Sequence, residues 1–247
     1  MKKTVMIASA LVPFVASIAY AGNINNNPLY MPAAGVGYGV TDLGTDTDFE
    51  TMTAEQTVGF GITDNLTLTV GTSVWLFNDE DDFIWDSFSL GAEFRVLDKD
   101  GWKGDLIGDL TIYGDDWHDK DYNLYLWNVG VRGGYAADNW TLAGLAQYGY
   151  VNTEAFNWDE EGVKVLSLGV AGQYIINSSW NVTGSLIYEY YELTDDYNSD
   201  DNALYGTLGV NYNINDDMFL GVYASKELIQ DNDDDEVSLG IKFGFQF

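Results

Sequence analysis

The chain has 247 residues, 46% apolar and 20% charged, and its 39 acids outweigh 10 bases to give a formal charge of −29. Such an acid excess repels nucleic-acid phosphate, and 8 Trp, 17 Tyr and 12 Phe are too many aromatics for a chain that stays disordered. The absence of cysteine excludes disulfides, thiol catalysis and cysteine zinc sites. At the start, Met1-Lys2-Lys3, an apolar run from Thr4 to Ile18 and Ala19-Tyr20-Ala21 read as a signal peptide over residues 1–21, cleaved after Ala21. The run is short for a membrane helix and contains Pro13. Residues 22–31 follow as a lead, and 32–247 as one domain.

Within that domain twelve strands are predicted: 32–41, 51–62, 66–77, 83–96, 104–114, 122–135, 140–151, 162–176, 180–191, 202–213, 218–229 and 236–247. Short connections such as Thr63-Asp64-Asn65, Ala137-Asp138-Asn139, Asn177-Ser178-Ser179 and Asn215-Asp216-Asp217 consist of turn-forming residues. Residues 98–103 make a slightly longer turn. Long connections at 41–50, 78–82, 115–121, 152–161, 192–201 and 230–236 alternate with the short ones. The first strand carries Gly35, Gly37 and Gly39, which lower strand propensity. Parity retains it, because an antiparallel sheet closes on itself with an even number of strands. Ten and fourteen strands are the alternatives.

Apolar residues recur with period two. Trp180, Val182, Gly184, Leu186, Tyr188 and Tyr190 share one face, and Asn181, Thr183, Ser185 and Glu189 the other. A soluble sandwich alternates in the same way, but its strands average about 5 to 6 residues. A tilted strand crossing a bilayer needs about 9 to 11. The segments here are of the longer kind, and their polar faces, rich in glycine and hydroxyls, suit the interior of a transmembrane antiparallel up-and-down β-barrel.

The ending Ser238-Leu239-Gly240-Ile241-Lys242-Phe243-Gly244-Phe245-Gln246-Phe247, together with the leader and the alternating turns and loops, resembles the bacterial outer-membrane β-barrel proteins, porins among them. In that class Gly240, Phe243, Phe245 and Phe247 would form the signal read by the barrel-assembly machinery. The resemblance implies a Gram-negative outer membrane, termini and short turns in the periplasm, a periplasmic lead at 22–31, and long loops outside. It also implies contact with outer-membrane lipid; it does not indicate an oligomeric state.

The six long-loop windows hold 26 of the 39 acids and one base, Lys120. Such acidic loops would concentrate cations at a pore mouth, or bind Ca²⁺ or Mg²⁺ through Asp79, Asp81, Asp233 and Asp235. None has the regular spacing of a calcium hand, so any such binding would be adventitious, and no cofactor is expected. The plainer alternative is a solvated, salt-tolerant exterior.

Alternation places Glu55, Glu93, Asp105, Asp109, Glu189 and Glu227 in the bore with Arg95, Arg132 and Lys242, six acids against three bases. Gln147 and Gln173 face the same way. These charges point to transport: a passive channel for small neutral or cationic solutes, with Arg95 and Arg132 as constriction or pairing groups. Side chains that pair and fill the barrel would instead leave a non-conducting surface barrel for adhesion or envelope integrity. Loop aromatics Trp117, Phe156 and Trp158 would then serve as contacts. Catalysis is not expected. Barrel hydrolases such as omptins and outer-membrane phospholipase A set a histidine beside a fixed partner, whereas the lone His118 lies in an acidic loop. Trp140, Trp180, Tyr135, Tyr212 and Phe219 flank the short turns and read as an outer aromatic girdle.

Overall fold

The computed structural model describes residues 27–77, 84–114, 125–152, 162–193, 201–229 and 237–247. The leader, most of the acidic loops, His118, Trp117, Phe156, Trp158 and the four candidate cation ligands Asp79, Asp81, Asp233 and Asp235 lie outside the described residues. Within them the chain forms twelve strands: β1 (Gly37–Asp46), β2 (Met52–Thr63), β3 (Leu66–Phe77), β4 (Ile84–Lys99), β5 (Trp102–Tyr113), β6 (Tyr125–Ala136), β7 (Trp140–Asn152), β8 (Val163–Ile175), β9 (Trp180–Leu193), β10 (Asp201–Asn215), β11 (Met218–Ile229) and β12 (Val237–Gln246). Each pairs with its sequence neighbour, and β1 pairs antiparallel with β12 to close the barrel. The ring therefore leaves no open edge.

Alternation sets the two faces. In β9, Asn181, Thr183, Ser185, Ile187, Glu189 and Tyr191 are buried inside, while Trp180 and Leu186 are exposed outside. The outer wall is apolar throughout, with Leu68, Val70, Leu90, Leu110, Val129, Leu142, Val170 and Val222 all exposed.

Local turn chemistry fixes the short-turn end. Asn177 Oδ1 accepts hydrogen bonds from the Ser179 and Trp180 amides at 2.9 and 3.0 Å, and Asn215 Oδ1 accepts from the Asp217 amide at 2.8 Å. These asparagines thus serve their own turns. The connection from β4 to β5 is tighter than the sequence suggests. Lys99 pairs with Trp102 across Asp100-Gly101, and both turn residues have positive φ, 52° and 83°. A two-residue loop of that kind follows the right-handed strand twist, so it extends both strands instead of ending them at 96 and 104.

Strand β1 starts at Gly37, five residues later than the expected 32. Gly35, at φ 81°, turns the chain there, and hydrogen bonds from Gly35 N to Gly61 O and from Gly61 N to Val36 O hold the bend. The strand then runs on to Asp46, so residues 41–46 of the expected first long loop are barrel wall.

Around the short-turn end, Trp102, Tyr135 and Trp140 form an outer aromatic row with ring centroids 5.3 and 5.5 Å apart, and Trp180 meets Tyr212 at 4.9 Å. Phe219 does not join this girdle. It is 0% exposed and lies inside the barrel over Gly244, in phase with inward Gly221 and opposite outward Leu220 and Val222. Phe243, Phe245 and Phe247 do face outward, with adjacent ring centroids 6.0 and 5.9 Å apart. The Phe247 backbone exchanges two hydrogen bonds of 2.9 Å with Gly37, and Gly240 faces inward beneath the Tyr223 ring.

Candidate functional site

All nine charged residues assigned to the bore from alternation sit on the inward-facing side of their strands, but they occupy two levels with different electrostatics. Near the short turns, β4 supplies Glu93 and Arg95, β5 supplies Asp105 and β6 supplies Arg132. Arg95 grips Asp105 with Nε and Nη2 at 2.7 and 3.2 Å. Arg132 donates to the same carboxylate from Nε and Nη2 at 3.0 and 2.9 Å, and to Glu93 Oε2 at 2.8 Å. Two acids and two bases make this cluster neutral. Asp105 is 1% exposed and accepts from both guanidinium groups, a charge-assisted arrangement in which each ion compensates the burial of another.

Further toward the long loops the balance turns acidic. Asp42, Glu55 and Lys242 are neighbours across β1, β2 and β12, with Lys242 Nζ 2.9 Å from Asp42 and 4.8 Å from the Tyr223 ring centroid. Tyr223 donates its hydroxyl to Asp42 at 2.9 Å. Asp109 accepts from Asn128 Nδ2 at 3.0 Å. Glu189 accepts hydrogen bonds from Tyr191 and Ser167 and lies within electrostatic range of Glu227. Asp86, Asp109, Glu189 and Glu55, from four different strands, all lie within electrostatic range of the Tyr113 phenol. Among the described residues, six acids at this level (Asp42, Glu55, Asp86, Asp109, Glu189, Glu227) face one base, Lys242.

Asp42 and Asp86 were not legible as bore residues. Asp42 falls in an expected loop because the first strand was placed too early. Asp86 lies at a register shift between β3 and β4 that breaks simple alternation, and it accepts a hydrogen bond from Trp75 Nε1 at 3.1 Å. Several inward polar atoms have no protein partner among the described residues: both amide atoms of Gln147, Arg132 Nη1, and the hydroxyls of Thr67 and Thr111. Buried polar groups of this kind are satisfied by water or by a solute, so the interior is chemically suited to hydration.

Of the expected lead at 22–31, residues 27–31 are described, and they lie against the barrel. Pro28 and Leu29 are buried, and Arg95 Nη2 donates to the Leu29 carbonyl at 2.7 Å. Tyr30 donates its hydroxyl to Gln246 Oε1 at 2.9 Å and meets Tyr38 edge-on at 6.0 Å. Among the described residues no group of three or more His, Asp or Glu side chains is placed to hold a metal ion.

No known protein family matches the chain, and no curated protein matches it. Solved structures do. The NanC porin superposes with a TM-score of 0.64 at 12% identity, covering 84% of this chain and 98% of its own. An outer membrane channel from Pseudomonas putida F1 gives 0.62 at 11% identity, covering 88% and 97%. The translocator domain of the autotransporter NalP from Neisseria meningitidis gives 0.56 at 16% identity, covering 100% and 97%. At these identities the likeness is one of fold, and the chain is a closed twelve-stranded antiparallel barrel similar to those of outer-membrane porins, channels and translocators.

Proposed function

We propose that the protein is a small porin-like passive channel of a Gram-negative outer membrane, passing small neutral or cationic solutes. The observation that carries this reading is the six-to-one acid excess in the bore above the neutral cluster. An apolar wall running around the barrel would be poorly tolerated in water and belongs against lipid tails. Inside it, a low-dielectric wall focuses the field of Glu55, Asp109, Glu189 and their neighbours along the bore, which raises the local concentration of cations and lowers that of anions. Porins and channels among the fold neighbours support the transport half of the reading. Their solutes do not carry over at such low identity.

In this proposal the termini and short turns face the periplasm, the acidic loops face outward, and Gly240, Phe243, Phe245 and Phe247 form the segment read by the assembly machinery. The loops hold Ca²⁺ or Mg²⁺ only adventitiously. The test is reconstitution of the full mature barrel in a planar bilayer. Discrete conductance steps with a reversal potential of cation-selective sign are expected under a KCl gradient, and a correctly inserted but silent barrel would overturn the proposal.

A second reading, a non-conducting surface barrel, is favoured by one observation: the short-turn end is tightly filled, with Leu29 and Tyr38 each 1% exposed and Phe219 at 0%. The same bilayer recording separates the two.

A further inference from the structure

We infer that residues 27–32 form a stopper seated in the short-turn end of the bore, so that this segment, and not the barrel wall, sets the narrowest passage. The inference rests on the channel reading and adds to it the element that limits flow.

Contacts of this segment run across the ring. Tyr30 is tied to Gln246 on β12, and the Leu29 carbonyl is tied to Arg95 on β4. In the strand order β12 and β4 are separated by β1, β2 and β3, so two consecutive residues reach strands that are not neighbours, and the segment lies inside the ring. Beyond these anchors the chain comes to rest on the inner face of β2. A Cβ placed on Gly61 would strike the Ala33 carbonyl, so the segment rests directly on that strand, and the Ala34 amide donates to Asp64 Oδ1 at 3.1 Å. From Arg95 the bonded path continues through Asp105 to Arg132 on β6, opposite β12 in a ring of twelve.

The side chains fit the same role. Leu29 and Pro28 are apolar yet buried at the charged cluster, where an exposed apolar group would gain nothing by entering unless it packed against other inward groups. Tyr38 on β1 meets Tyr30 edge-on, and Tyr38 and Phe219 are themselves buried at this end, each laid over an inward glycine, Gly59 and Gly244. Asn27 shapes the tip: its side-chain oxygen accepts from the Leu29 amide at 2.9 Å and its carbonyl from the Tyr30 amide at 3.0 Å. The positive φ of Gly35 then reverses the chain into β1. None of these contacts belongs to the strand ladder, so the segment can be removed without unpairing the barrel.

The test is single-channel conductance of the full mature barrel beside a variant lacking residues 27–31, with insertion of both checked by heat-modifiable migration. A several-fold rise in conductance, with entry of larger neutral sugars in liposome swelling, is expected. The double substitution Leu29→Ala and Tyr30→Ala keeps the chain length and gives a smaller shift in the same direction, which serves if the deletion does not insert. Equal conductance in all forms would overturn the stopper while leaving the channel reading intact. Silence in all forms would overturn both. A silent full chain beside a conducting deletion would support the segment as a seal and overturn the reading of the full chain as a passive channel.

Discussion

Asp105 holds the densest electrostatic junction among the described residues, because one buried carboxylate on β5 compensates two guanidinium groups on the flanking strands β4 and β6. Removing it leaves both Arg95 and Arg132 short of a counter-charge, with only Glu93 remaining to Arg132. Breaking a buried pair in this way costs about 3–5 kcal/mol. Asp105→Ala should therefore lower the urea midpoint of the folded barrel in micelles by far more than Asp98→Ala, whose carboxylate is mostly exposed and whose contacts with Lys103 and Arg95 are correspondingly weak. Equal midpoints for the two variants would show that the cluster does not stabilise the barrel. At the other level, Lys242 is the lone base facing six acids among the described residues and is held between Asp42 and the Tyr223 ring. Lys242→Met should increase cation preference, read as a larger reversal potential under the same KCl gradient. An unchanged potential would place this residue off the ion path.

At the scale of the element, Gly101 tests the turn that the sequence reading made too long. Its φ of 83° disfavours any side chain, and a Cβ there would approach the Ala136 carbonyl at 2.9 Å, a backbone atom with little freedom to move. Gly101→Ala should cost about 1–2 kcal/mol from the left-handed conformation, seen as a lower urea midpoint, whereas Asp100→Gly should be close to neutral. The Asp-Gly pair was present to be read as a two-residue hairpin loop, so this boundary was legible and the neighbouring charged residues Asp98 and Lys103 drew the turn outward. Phe219 was legible as well. Its place in the alternation with Leu220 and Val222 makes it inward, and proximity to a turn was the weaker guide. The start of β1 was harder to read, because Pro32 and three glycines resemble a poor strand whichever five residues are chosen. What decided it was a long-range hydrogen bond between Gly35 and Gly61, absent from any local pattern. In the bore, facing direction followed from period two, but partners did not. Glu93 and Arg132 lie on β4 and β6, and their meeting depends on the stagger between three strands.

At the scale of the whole molecule, charge is sorted along the barrel axis. The paired cluster lies at the short-turn end, where Gly37 meets Phe247, and the unbalanced acids lie toward the loops, which themselves carry most of the remaining acid residues. In the proposed channel, a cation entering from the loop side would meet negative potential over much of its path, and an anion would meet a barrier along the same path. That field is long-ranged only while salt is dilute, since the screening length falls from about 10 Å at 0.1 M to about 3 Å at 1 M. Selectivity should accordingly weaken as KCl is raised across this range if it arises from acids distributed through the bore. The double substitution Glu55→Gln and Asp109→Asn should reduce it further at low salt and make little difference at high salt. Selectivity that is independent of salt and of these two residues would instead locate the filter at close contact, in the filled short-turn end, where size and not charge would decide what passes.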